Sequence, residues 1–171
     1  SYITFPDFAG RVSYYGQPGL NLGLSAYVGD SESKAYDGLD LANESAVASA
    51  DSTVIGIQML GVDARYQKGA LQLRGQYIVA NLSNTDQYNA LSGKDLGSKM
   101  TGYYSELGYN LLASRNTTNE LIGFARYENY NTHAEVAEGA SLNDAYNRTE
   151  ITLGLGFEVA KGAMFKADYQ I

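Results

Sequence analysis

The chain has 171 residues, including 19 Gly and 15 Tyr but no Cys or Trp, and its formal net charge is -7. The negative charge argues against a nucleic-acid partner, which would require a basic stripe, and the lack of Cys excludes disulfides and thiolate metal sites. No run of about 18 apolar residues occurs, so the chain has no candidate transmembrane helix. A single domain over residues 1–171 is the simplest organisation, because no linker or low-complexity segment divides the sequence.

Apolar and polar residues alternate with a period of two in eight segments, which predicts β-strands. The predicted strands are residues 11–16, 20–30, 53–67, 70–82, 99–112, 120–130, 148–159 and 164–171. Short breaks between strands alternate with long polar stretches at residues 31–52, 83–98 and 131–146. Residues 39–50, within the first polar stretch, are predicted to form a short helix.

The segment over residues 53–67 changes phase in its middle. Ile57 and Met59 share one parity, whereas Leu60 and Val62 share the other. A glycine beside such a change is typical of a β-bulge. The sequence therefore predicts a bulge at residues 59–61 that returns the apolar side chains to one face.

The last two segments form the clearest hairpin, and their lengths approach the ~9–11 tilted residues that cross a bilayer core. The residues that we expect to face lipid there are Ile151, Leu153, Leu155, Phe157, Phe165 and Tyr169. Tyr residues also lie near strand ends, as in the interfacial girdles of membrane barrels. The rhythm of short and long connections is typical of outer-membrane barrels. The predicted fold is an all-β, antiparallel transmembrane β-barrel (meander) with about eight strands in this chain; a soluble antiparallel barrel or sandwich is the alternative.

The polar face of the predicted strands carries charges of both signs. The predicted pore-lining residues are Asp63, Arg65, Arg74, Glu106, Arg126, Glu128, Arg148, Glu150, Lys166 and Asp168. Four pairs of opposite charge are expected along single strands: Asp63 with Arg65, Arg126 with Glu128, Arg148 with Glu150, and Lys166 with Asp168. Such charges hold strand register as cross-strand pairs or order water and ions in a pore, and the two roles are compatible.

The sequence predicts no enzyme, metal site or cofactor. His133 is the sole histidine, and no motif places a serine nucleophile beside it, so we expect it to be a solvated loop residue. The acidic stretch that contains Glu32, Asp37 and Asp40 does not have the spacing of an EF-hand.

Six short segments of the predicted strands and turns carry recognisable motifs: PDFAGR (6–11), GLNLGLSAY (19–27), GVDARY (61–66), FARYE (124–128), NRTE (147–150) and FKADY (165–169). These segments resemble phosphate-selective porin O/P-type outer-membrane proteins. The resemblance implies a larger barrel, of about sixteen strands in the porin size class, assembled as a homotrimer, with this chain as roughly its C-terminal half. Lys166 is the only lysine predicted on the polar face, so phosphate selectivity does not follow from the resemblance.

The predicted function is passive diffusion of small polar or ionic solutes through a porin-like channel in the outer membrane of a Gram-negative bacterium. The partners would then be outer-membrane lipid, lipopolysaccharide and small ions. The alternative is a non-conducting outer-membrane β-barrel that serves as a structural or partner-binding subunit of a membrane complex. We expect the chain to be part of a larger polypeptide, because the strand at residues 11–16 is too short to close a barrel against residues 164–171.

Overall fold

The computed structural model describes residues 6–31, 38–40, 42–160 and 162–171, which form one antiparallel sheet with short helices in its connections. The strands are β1 (Phe8–Gln17), β2 (Leu20–Asp30), β3 (Gly56–Lys68), β4 (Leu71–Leu82), β5 (Lys99–Asn110), β6 (Glu120–Glu135), β7 (Asn147–Ala160) and β8 (Ala163–Gln170). The helices are α1 (Glu44–Asp51), α2 (Thr85–Ser92) and a 3-10 helix (Asp144–Tyr146). The strands lie in the sheet in chain order, so the predicted all-β antiparallel meander is confirmed.

The two outer strands of this sheet do not pair with each other. Among the described residues β1 pairs only with β2, and β8 pairs only with β7. The sheet is therefore not closed into a barrel within this chain.

The connections of different length lie at opposite ends of the sheet, because successive strands are antiparallel. At one end the chain turns at Gly19, Gly69 and Gly162, all of which have positive φ. Glycine adopts this conformation without the steric penalty that a side chain brings. The long connections, with α1, α2 and the 3-10 helix, lie at the other end.

Two strands are longer than the sequence predicts by four residues or more. The first has ten residues, beginning at Phe8, so the expectation that it is too short to cross a bilayer was wrong. Its extra residues pair with β2 from Phe8 opposite Val28 onward, and this ladder stabilises a segment that does not alternate. β6 likewise continues to Glu135 in a stretch that was predicted to be loop.

The predicted bulge in β3 is wrong. The β2–β3 and β3–β4 ladders run from end to end of β3 without a shift in register. Ile57 and Met59 therefore stay on the same face as Asp63 instead of returning to the side of Leu60 and Val62. The backbone keeps its regular pairing, and the apolar residues change face.

Apart from glycines, the buried residues of the described chain lie at the long-connection end. They are Ala50 of α1, Ile55, Ala80 of β4, Thr85 of α2 and His133 of β6. The Asn43 side chain caps α1 by accepting a hydrogen bond from the Ala46 backbone N–H. The predicted helix is thus confirmed in part, with later bounds than residues 39–50. His133 is only 3% exposed, so the expectation of a solvated loop histidine was wrong.

The two faces of the sheet show an inverted pattern of burial. Leu153 and Leu155 are each 50% exposed, while Glu106 and Glu128, on the opposite face, are half-buried. In the described part of the chain the strands contact mainly their neighbours in the sheet, so no second layer covers the apolar face. The described helices are too short or too polar for any of them to span a membrane.

Candidate solute-facing site on the polar face

All ten predicted pore-lining residues lie on the same face of the sheet, which we call the polar face. The pairing of strands arranges many of them in two cross-strand rows. The acidic row contains Asp63, Glu128 and Glu150. The basic row contains Arg65, Arg74 and Arg126, with Glu106 between the last two. The rows are two residues apart along each strand, which separates them by about 7 Å.

One bidentate ion pair of the polar face joins strands that are not neighbours. Arg11 on β1 donates to both carboxylate oxygens of Asp63 on β3, at 2.7 and 3.0 Å. The pair crosses β2 above Gly23, where a Cβ atom would collide with both side chains. Asp63 therefore pairs with Arg11 and not with Arg65 as predicted, because the missing side chain of Gly23 opens the shorter bidentate route. A glycine flanked by charged neighbours on adjacent strands was the signal that sequence reasoning missed.

Arg126 is held by two contacts. Its Nε lies 2.5 Å from a carboxylate oxygen of Glu128, which confirms the predicted pair. Its guanidinium also lies over the ring of Tyr104, 4.1 Å from the centroid, in cation–π geometry. Together these contacts fix the position of one positive charge on the polar face.

The other predicted pairs form differently. Glu150 accepts hydrogen bonds from the Tyr130 hydroxyl and from the amide of Gln170 on β8. The predicted pair of Arg148 with Glu150 is therefore wrong, and Arg148 instead donates to the backbone carbonyl of Ala145 at 3.5 Å. Tyr130 and Gln170 reach Glu150 because they lie on the strands on either side of β7.

The remaining charges of the polar face are more weakly paired. Arg74 and Glu106 approach to 3.7 Å across β4 and β5. Lys166 and Asp168 form no ion pair with each other among the described residues, which corrects that prediction. Both lie on the polar face of β8, two residues apart along the strand. Arg65 is exposed and has no carboxylate within ion-pair distance in the described ranges. The face thus combines fixed pairs with accessible charges.

Two long connections are joined by His133 at the long-connection end of the sheet. The Nε2 atom of His133 on β6 lies 2.8 Å from the backbone carbonyl of Asp95, in the connection between α2 and β5. The His133 ring lies 4.2 Å from the ring of Tyr146 in the 3-10 helix. Within the described residues no three His, Asp or Glu side chains are grouped to hold a metal ion. Glu32 and Asp37 of the acidic stretch lie outside the described residues.

The fold and this site define an open, eight-stranded antiparallel meander with one charged face and one exposed apolar face. The chain is similar to an uncharacterized protein of Aquifex aeolicus (strain VF5), with 26% identity over 163 residues. That match covers 95% of this chain but only 36% of the relative, so the chain spans little more than a third of the length of that protein. No family model matches the chain, and no solved structure matches it.

Proposed function

We propose that the chain forms part of the wall of a porin-like channel in a bacterial outer membrane, through which small polar or ionic solutes diffuse passively. The observation that carries the proposal is the inverted burial of the sheet. Side chains such as Leu153 and Phe165 are exposed on one face, and the charged pairs lie on the other. In water an exposed apolar surface of this extent is unfavourable, whereas in a membrane barrel the apolar face contacts lipid and the polar face lines the lumen.

Strand length supports this assignment. The shortest strand, β8, has eight residues, and the others have ten to sixteen. At ~3.3 Å per residue a ten-residue strand extends roughly 33 Å. Tilted as barrel strands usually are, it covers the apolar band of about 25 Å in an outer-membrane barrel.

Aromatic side chains on the apolar face also support it. Tyr77 and Tyr103 lie opposite each other on β4 and β5, and the rings of Tyr103 and Tyr127 are 6.1 Å apart. The cross-strand row that contains Tyr77 and Tyr103 continues into the polar residues Asn129 on β6 and Thr149 on β7. A row of Tyr between aliphatic and polar residues fits the boundary between hydrocarbon and water.

The proposal requires more strands than this chain provides. An open edge in hydrocarbon leaves N–H and C=O groups unpaired at a cost of several kcal/mol each. We infer that the free edges of β1 and β8 pair with other strands of a larger barrel, of about sixteen strands in the porin size class. The Aquifex relative supports this size, because twice the length of this chain still fits within it. The resemblance to phosphate-selective porins further implies a trimer in contact with lipopolysaccharide.

The test is conductance of the native full-length protein in a planar lipid bilayer. Stepwise, ohmic current increments are expected, and the same preparation denatured by heat should give none. A folded, membrane-inserted protein that never conducts would overturn the channel and leave a non-conducting subunit of a membrane complex. Recovery of the folded protein from the aqueous fraction without detergent would overturn the membrane assignment itself.

A further inference from the structure

The polar face carries an apolar patch near the long-connection end. The patch consists of Tyr27, Ile57, Met59, Ile78 and Met100. Tyr27 lies directly opposite Met59, and Ile78 and Met100 follow on β4 and β5. Met59 and Ile78 are each 39% exposed. The uninterrupted β3 ladder keeps Ile57 and Met59 on the polar face, so their part of the patch follows from the absence of the predicted bulge.

The patch borders a cavity of about 430 Å³ between β1, β2, β3 and β4. Side chains of the polar face that line the cavity are Ala9, Arg11, Ser25, Tyr27, Met59 and Ile78. Gly61 lies between Ser25 and Ile78 and has no side chain to fill the space. The volume is in the range of small-molecule sites, which are mostly apolar with a few placed polar groups.

The polar groups around the cavity are already compensated. Asp63 neutralises Arg11, whose Nε also donates to Ser13 at 3.2 Å. Each Nη atom uses one N–H for Asp63, which leaves its second N–H as a donor. At the outer end the Tyr27 hydroxyl lies beside the carboxylate of Asp7, because a Cβ atom at Gly29 would collide with both groups. An anionic ligand would have to compete with Asp63 and approach Asp7, while a cation would meet a carboxylate that Arg11 already occupies.

We propose that this cavity binds small uncharged amphipathic solutes, with an apolar body against Met59 and Ile78 and a hydroxyl or amide oxygen that accepts from Arg11. The proposal rests on the proposed function, because the solute would reach the cavity through the channel lumen. It adds a class of solute to a channel whose other lining residues are charged. Burial of apolar surface contributes most of the binding free energy, and the Arg11 donor orients the solute.

The test uses protection of an introduced thiol, since the chain contains no Cys. In the native full-length protein, Ile78→Cys is labelled with N-ethylmaleimide in lipid vesicles while benzyl alcohol is titrated in. A bound solute should slow labelling saturably, roughly tenfold at a concentration ten times its Kd. Met164→Cys, on the same face at the far end of the sheet, is the matched control and should not be protected. Xylitol, a polyol without an apolar body, should protect neither.

The second variant identifies the contact that matters. Met59→Gln in the Ile78→Cys background should abolish protection, measured as the ratio of the labelling rates with and without solute in the same variant. If Ile78→Cys does not fold, the reciprocal pair, Met59→Cys with Ile78→Gln, measures the same contact. Equal protection at Met164→Cys, protection that does not saturate, or a thiol that is never labelled would each overturn the inference.

Labelling also separates this inference from the proposed function. A protein that conducts but shows no saturable protection would contradict the proposed binding site and leave the proposed channel standing. A protein that shows saturable protection but never conducts would contradict the proposed channel and leave the binding site standing. If the protein both conducts and shows saturable protection, benzyl alcohol should reduce the single-channel current over the same concentration range.

Discussion

At the scale of single residues, the Arg11–Asp63 pair determines the charge of its part of the polar face. We predict that Asp63→Asn makes the proposed channel more selective for anions, because Arg11 would lose its compensating carboxylate. One uncompensated charge changes the energy of an ion 10 Å away by on the order of 0.4 kcal/mol in water. This corresponds to about a twofold change in the local concentration of each ion. The reversal potential in a KCl gradient measures the effect.

The control for this measurement is Glu135→Gln. Glu135 is also an ion-paired carboxylate, at 2.6 Å from Lys99, but it lies where β6 extends toward the long connections. Its substitution should leave the reversal potential nearly unchanged. A shift of Asp63→Asn toward cations, or equal shifts for both variants, would contradict the assignment of Asp63 to the lumen.

His133 is the residue that connects the long loops. We predict that His133→Ala loosens the connection between α2 and β5, because the hydrogen bond to the Asp95 carbonyl and the contact with Tyr146 are both lost. A buried hydrogen-bonding group left without its partner costs about 1–3 kcal/mol. Hydrogen exchange should accelerate in residues 94–98 and 136–146. Glu138→Ala, an exposed position in the same region, is the control, and equal acceleration in the central strands would show general unfolding instead.

At the scale of elements, alternation along one strand can be tested with two adjacent residues. Leu153 faces the apolar side of β7, and Thr152 faces the polar side between Arg126 and Gln170. If the apolar face contacts lipid as proposed, Leu153→Lys should impair membrane insertion, since a lysine at the bilayer midplane costs about 2–4 kcal/mol in a barrel. Thr152→Lys should be tolerated because its ammonium group would meet water. The folded fraction in lipid vesicles, followed by urea titration, measures both, and equal losses would contradict the orientation of β7.

The turns offer a second matched pair of substitutions. Gly19 and Gly69 both have positive φ, at 80° and 57°. A Cβ atom at Gly19 would collide with the backbone carbonyl of Gln67, whereas at Gly69 it would meet open space. We predict that Gly69→Ala costs about 1–2 kcal/mol from its left-handed conformation alone, and that Gly19→Ala costs more. Urea titration of the folded protein distinguishes them, and equal costs would show that the backbone moves to relieve the clash.

Periodicity predicted the elements well where both faces of a strand are uniform. β2 has the predicted bounds, and β4 begins one residue later than predicted. The method failed where pairing with a neighbour outweighs side-chain pattern. It shortened β1 and β6, introduced a bulge into β3 and missed α2, which has a polar sequence and packs Thr85 into the small core. The local sequence of a segment does not show which neighbouring strand it can pair with.

The same limit applied to the site. The polar face was predictable because each charge has the parity of its strand, but its partners were not, apart from Glu128 with Arg126. The bond of Arg11 to Asp63 depends on Gly23, which belongs to the strand between them. Partners of this kind follow from register across three strands, and a single sequence does not specify register.

At the scale of the whole molecule, the question is how the two free edges of the sheet are satisfied. The long and short connections predicted a meander, and the structure confirms it, but strand number alone does not determine closure. β1 has ten residues and is long enough to serve as a seam, so length no longer argues against an eight-stranded barrel. The open sheet still argues against an eight-stranded barrel, since β1 and β8 are not paired in the described chain. An eight-stranded barrel would also fill with side chains and leave no channel.

Disulfide trapping in the native full-length protein tests this arrangement, because the chain has no Cys of its own. Cysteines at paired positions of adjacent strands lie within the Cα separation that a disulfide spans, so Ala125→Cys with Leu153→Cys should cross-link in the folded protein. We predict no disulfide between Val12→Cys and a cysteine at Phe165, Ala167 or Tyr169, because other strands would lie between β1 and β8. Efficient cross-linking of β1 to β8 within one molecule would contradict the larger barrel. It would make the chain a closed eight-stranded barrel and remove the lumen on which the proposed channel depends.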